Sequence, residues 1–136
     1  MASYIALIEE SGGAYGVFFP DLPGCAAMGE TPEKAWSNAI AALADWIEET
    51  ETQGAVPPAR TLETLKADEE VREALNEGAA FISVPLLRES GRPVKANISL
   101  DKGLLDAIDA AASRLGLTRS AFLASAARDK ILAEQR

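Results

Sequence analysis

Histidine is absent from this 136-residue chain, and cysteine occurs once, at Cys25. Without histidine the commonest general base is missing. With a single thiol besides, no zinc or nickel centre of the usual soft ligands is expected. One cysteine also excludes an internal disulfide framework. No apolar run approaches the eighteen or so residues that a membrane-spanning helix needs. The stretch MASYIALIEESGG has no basic region and too short an apolar run for a secretory signal. A cytoplasmic protein without a membrane partner and without a cofactor is therefore expected. What remains is globular in composition, 48% hydrophobic and 25% charged, in a length that suits one ordinary domain or two small ones.

Positive charge is also scarce, with 13 basic against 21 acidic residues and a net charge of −8. The imbalance is local. Residues 1–91 carry five basic and sixteen acidic side chains, a net of −11, and residues 92–136 carry eight and five, a net of +3, which together give −8. A mildly basic tail on an acidic body marks two units with different electrostatic tasks. The acidic body repels nucleic acid and suits a basic partner. An acidic surface that merely keeps the domain soluble accounts for the same charge.

The first unit is predicted over residues 1–87 as α+β. YIALIEE (4–10) and AYGVFFP (14–20) flank SGG as the two strands of a hairpin. Pro20, Pro23 and Gly24 in PDLPGC then turn the chain, and CAAMG (25–29) is a short third strand. TPEKAWSNAIAALADWIEET (31–50) is the clearest helix. Thr31 stands at its N-cap, Pro32 at its first position and Glu33 at the positive end of its dipole. Trp36, Ile40, Leu43 and Ile47 form the stripe that covers a small antiparallel sheet, opposite Lys34, Asn38, Asp45 and Glu49. Residues 61–78 are helix-forming but poorly periodic, as one frayed helix or two short ones broken near Asp68. AAFISVPLL (79–87) is a last strand, confined to an edge by Pro85. Residues 88–93, RESGRP, are polar and contain glycine and proline, as a linker does.

Residues 94–136 form the second unit. Val94, Ala96, Ile98 and Leu100 alternate with Lys95, Asn97 and Ser99, the pattern of a strand. Asp101 caps a helix with the stripe Leu104, Ile108, Ala111 and Leu115, and Gly116 ends it. A second helix starts near Thr118 and is apolar almost all round through Ala121, Phe122, Leu123, Ala124, Ala126 and Ala127. One strand and two helices cannot bury so much apolar surface alone, and a lone strand leaves an open edge. Two copies that pair their strands and interlock their helices remove both problems. That is the ribbon-helix-helix arrangement, which VKANISLDKGLLDAIDAAASRLGLTRSAFLASAARDKI resembles in its NISL strand, acidic cap, central glycine and TRSAFL. The resemblance implies a homodimer that reads operator DNA with Lys95, Asn97 and Ser99 in the major groove. Thr118, Arg119 and Ser120, at the free amides of the second helix, suit a phosphate. With one charged reader per strand, binding is expected to need more than one dimer on adjacent half-sites, with dimer and tetramer both left open by the sequence. Dimerisation alone is the plainer alternative.

AYGVFFPDLPGCAAMGETPEKAWSNAIAALADWIEE (14–49) resembles the HicB-type antitoxin domain in PDLPGC, in the following GET, and in Ala35, Asn38 and Ala39 of the helix. The resemblance implies a partial ribonuclease-H-like fold (β-β-β-α-β) without catalysis. Its implied partner is a small, basic, mRNA-cleaving toxin of the HicA type, whose operon the antitoxin also represses. Candidate toxin contacts are Phe19, Pro20 and Asp21 at the turn, and Trp46 at the edge of the helical stripe. The residues agree on the lack of catalysis, because Glu9, Glu10, Asp21 and Glu30 lie at strand ends or in loops rather than converging on a metal. Cys25 reads as a small packing residue. The alternative is a free-standing dimeric regulator whose first domain senses an organic ligand.

Overall fold

The computed structural model describes residues 2–89 and 91–135; Met1, Ser90 of the expected linker, and Arg136 lie outside them. The chain divides into two compact units, Met1–Arg88 and Glu89–Arg136. Among the described residues no helix is long and apolar enough to cross a membrane.

The first unit runs β1 (Ser3–Ser11), β2 (Ala14–Phe18), β3 (Ala26–Gly29), α1 (Pro32–Gln53), α2 (Leu62–Lys66), α3 (Glu69–Asn76) and β4 (Ala80–Pro85). The strands make one antiparallel sheet in the order β3-β2-β1-β4, so β1 is central and Pro85 ends an edge strand. The α+β architecture is the expected one.

Successive residues Ala6 and Leu7 of β1 are both fully buried. Side chains alternate across a strand, so β1 is covered on both faces. On one side Leu7 packs with Leu65 of α2, Val71 of α3 and Ala79, beside Phe18 and Phe81, its direct neighbours on β2 and β4. On the other, α1 lies against the sheet and buries Ala35, Ala39, Ile40, Leu43 and Ile47. The sheet is thus the middle of three layers, where a single helical layer was expected. The second helical layer is made by two short helices with one buried anchor each, Leu65 and Val71. One anchor per helix leaves no apolar stripe for periodicity to reveal. The break between them falls at Asp68, the N-cap of α3.

The entry of α1 follows from local chemistry. Thr31 Oγ1 accepts a hydrogen bond from the Lys34 amide at 3.1 Å, and Pro32 opens the helix. The Asn38 side chain, expected on the solvent face, donates to the Met28 carbonyl at 2.7 Å and ties α1 to β3. Gly29 permits the approach: a Cβ there would lie 2.7 Å from the Lys34 carbonyl carbon and 2.8 Å from Ala35 Cα, and closer still to the Ala35 nitrogen. These are backbone atoms that no rotamer change can move aside.

The second unit contains α4 (Lys102–Arg114) and α5 (Arg119–Glu134). Gly116, at φ 69°, joins them. Its amide donates to Ser113 at 3.1 Å and that of Leu117 to Ala112 at 2.8 Å, so the end of α4 is closed by paired bonds around a left-handed glycine.

Gly29→Ala is therefore expected to destabilise the first unit by about 1–3 kcal/mol, as overpacking against fixed backbone does. Thermal unfolding followed by circular dichroism should show the melting temperature lowered by roughly 5 °C or more, with helix content retained below the transition.

Candidate functional site

The turn between β2 and β3 is held from within. Its amides bond across it, Leu22 to the Phe19 carbonyl at 3.1 Å and Cys25 to Leu22 at 3.0 Å. Leu22 is fully buried and Asp21 is 8% exposed. A carboxylate so placed must be matched by donors. Arg60 provides them: its amide donates to Asp21 Oδ2 at 2.8 Å, and its Nε donates to Asp21 Oδ1 in a short, direct ion pair. The same guanidinium reaches Asp68 Oδ2 through Nη1 at 3.0 Å. Asp68 Oδ1 in turn accepts the Val71 amide at 3.2 Å and caps α3. One arginine thus links the turn, the segment after Pro57-Pro58, and the second helical layer.

The ionisation of these groups follows the contacts. The Arg60 hydrogen bond, aided by the Val71 amide, holds the Asp68 carboxyl below its usual 3.8. Hydrogen bonds to Asp21 and then Asp68 raise the Arg60 guanidinium. Beside them the turn, Phe18, Arg60 and α3 enclose a cavity of about 270 Å³. Cys25, 4% exposed, borders it with a thiol that burial pushes up to about 11. Such a thiol stays protonated near neutrality and is a poor nucleophile.

The second unit has a different character. Residues 91–100 are exposed throughout and form no helix or strand. The strand expected at 94–100 is absent from the single chain because no segment among the described residues pairs with it, and a strand exists only in a ladder. Lys95, Asn97 and Ser99 all stand in solvent. Arg119 is engaged rather than free: Nε and Nη2 grip Asp109 of α4 at 2.9 and 2.8 Å. That grip lowers the Asp109 carboxyl and raises the Arg119 guanidinium. Thr118 Oγ1 caps α5 by accepting the Ala121 amide at 3.1 Å, and Ser120 is exposed. Glu89 is bound in turn by Arg128 of α5, at 3.1 and 2.6 Å.

Apolar side chains are left bare in this unit. Val94 is 88% exposed, Ile98 63%, Leu104 51% and Leu115 66%, and α5 buries no residue at all. The nearly all-round apolar face of α5, expected to be buried on several sides, is only partly covered in one chain: Phe122 and Leu123 are half-buried and the alanines exposed.

Comparison with known proteins places the sequence. A family model, the HicB-like antitoxin of bacterial toxin-antitoxin systems, matches residues 4–127. The chain belongs to the HicB-like antitoxin family. Among solved structures it is similar to the antitoxin HicB of Burkholderia pseudomallei, at 32% identity over 96% of this chain and 97% of that one, with a TM-score of 0.50. It is similar also to the antitoxin HicB3, at 29% identity over 96% and 98% of the two chains and a TM-score of 0.53. A chain of the HicA3 and HicB3 toxin-antitoxin complex matches at 26% identity and a TM-score of 0.53, over 64% of this chain and all of that one. No curated protein matches.

In this HicB-like chain two of the residues expected at the toxin contact are buried. Phe19 is 3% exposed and Asp21 8%, because the turn folds both side chains into the unit and Arg60 occupies the carboxylate. Pro20 borders the cavity, and Trp46, half-buried on α1, does not. Arg60, Asp68 and Glu70, which do border it, escaped sequence reasoning. The only hint was a lone arginine after two prolines in a segment rich in acid.

Replacing Arg60 by methionine leaves Asp21 buried without its counter-charge. Because 34% of the Arg60 side chain meets solvent, the expected loss is roughly 2–3 kcal/mol, below that of a fully buried pair. The depressed Asp68 carboxyl stabilises the folded form above about pH 3.8, and that contribution fades as acid protonates it. Melting temperatures measured from about pH 6 to pH 2 should therefore fall less steeply for Arg60→Met than for the parent.

Proposed function

We propose that this protein neutralises a small basic ribonuclease toxin of the HicA type through its N-terminal unit, and represses its own operon as a ribbon-helix-helix dimer through its C-terminal unit. It acts by binding, in the cytoplasm, and not by catalysis. The likeness to an antitoxin chain solved in complex with its toxin supports the first part. The −11 charge of residues 1–91 supports it further, since a toxin surface that holds RNA must be basic. The protonated, buried Cys25 and the matched Asp21 leave neither group available for chemistry.

One observation carries the second part: a single chain leaves Val94, Ile98, Leu104 and Leu115 more than half exposed, with no residue of α5 fully buried. In water such a surface seeks apolar cover, and a second copy supplies it while giving residues 94–100 a strand partner. Pairing sets Lys95, Asn97 and Ser99 on one outer face, where a two-stranded ribbon enters the major groove. Thr118, Arg119 and Ser120 lie at the α5 end that faces phosphate in this arrangement. Arg119 arrives already paired with Asp109, so backbone amides and the Ser120 hydroxyl supply much of that contact. Two dimers on adjacent half-sites strengthen the grip.

Co-expression with the small open reading frame beside the gene tests the first part. The neighbour alone should arrest growth, and this protein should restore growth and co-purify with it. A harmless neighbour, and no complex, would return the N-terminal unit to the status of an unassigned sensor on a DNA-binding regulator.

Ile98→Glu should convert the free protein to monomer in sedimentation velocity and abolish retardation of the DNA upstream of its gene. Asn97→Ala should keep the dimer and weaken that retardation by about 1–3 kcal/mol, as loss of a base contact does.

A further inference from the structure

We infer that the cavity beside the PDLPGC turn receives one basic side chain, a lysine or arginine, from the protein partner of the N-terminal unit. The inference rests on the antitoxin reading for that partner's identity, and on the cavity itself for its chemistry. Its volume of about 270 Å³ falls just below the range of drug-sized ligand sites and suits a single side chain. Phe18, Pro20, Pro23 and Val71 supply apolar wall. Lysine and arginine combine a long aliphatic stem with a charged head, and lay the stem on such surface.

Charge selects the head. Arg60 borders the cavity, yet its guanidinium is already taken by Asp21 and Asp68. Glu70, also on the lining, is exposed, and its carboxylate has no hydrogen-bond or ion-pair partner among the described residues, although its backbone amide bonds Asp68. On the lining itself Asp68 and Glu70 outnumber Arg60, which leaves an excess of one negative charge beside an apolar wall. A cation gains there and a phosphate is repelled, which favours a basic protein over a nucleic acid. The buried Asp21 thereby acts as a positioning residue: it fixes Arg60, and Arg60 holds Asp68 at the cavity.

The test uses the full-length protein with the basic protein encoded beside its gene, by calorimetry, after thermal melts confirm that each variant folds. Glu70→Lys, which reverses charge at the cavity, should weaken the complex about tenfold or more. Ala26→Phe, which fills the space without changing charge, should do likewise. Glu77→Lys, an equal charge change at the far end of α3, should stay within about twofold. Equal effects of Glu70→Lys and Glu77→Lys, or none from Ala26→Phe, would overturn the inference, since net charge alone would then govern binding. A second arm titrates N-acetylarginine amide and, separately, inorganic phosphate into the labelled full chain. Arginine amide should shift the amide resonances of Gly24, Ala26 and Glu70 at millimolar concentration, and phosphate should not. The opposite pattern, or no shift with arginine amide, sinks the proposal. If no complex forms with the neighbouring protein, the antitoxin reading fails and the titration alone decides the cavity.

Discussion

One guanidinium organises the N-terminal unit. Arg60 neutralises Asp21, a carboxylate that the turn carries into the protein, and reaches on to Asp68, the cap of α3. Without that cation the turn would have to expose Asp21 or bury an unmatched charge, and both change the path of residues 19–25. The turn sets where β3 starts, and β3 sets where Gly29 lets α1 close on the sheet. The cap sets where α3 begins, and so where Val71 meets Leu7 on the opposite face. The two helical layers are therefore coupled through a single side chain that belongs to neither.

In the proposed function the two units face opposite electrostatic problems. An acidic body attracts a basic protein and repels nucleic acid, whereas a DNA reader needs the reverse. Separation along the chain satisfies both. The C-terminal unit commits part of its positive charge internally: Arg119 and Arg128 are each gripped by a carboxylate, which leaves fewer cations for phosphates. The proposed operator binding would then lean on shape and base contact more than on counterion release.

What the sequence made legible was local. The hairpin, α1 with its cap and proline, the break at Asp68 and the two C-terminal helices are each written in neighbouring residues, and each stands close to its expected bounds. The cover on the second face of the sheet was not legible, because Leu65 and Val71 are lone anchors on short helices. The fully buried Ala6-Leu7 pair held the clue, since consecutive apolar residues in a strand signal burial on both faces. The Asp21–Arg60 pair joins positions 39 apart, beyond the reach of any periodicity. Asp21 stood out by its motif, but the motif did not say that its carboxylate points inward.

The strand at 94–100 marks a different boundary. Its alternation is clear in the sequence, yet the single chain leaves it unpaired and exposed. Local pattern expresses what a segment is fit to do, and a ladder needs a second segment. In the proposed dimer that second segment is an identical copy, so forming the DNA-reading surface and covering the apolar helices are one event. The stability of the C-terminal unit then rises with protein concentration, by mass action. Operator binding, as proposed, would inherit that dependence and tie repression to the amount of antitoxin without any separate sensor.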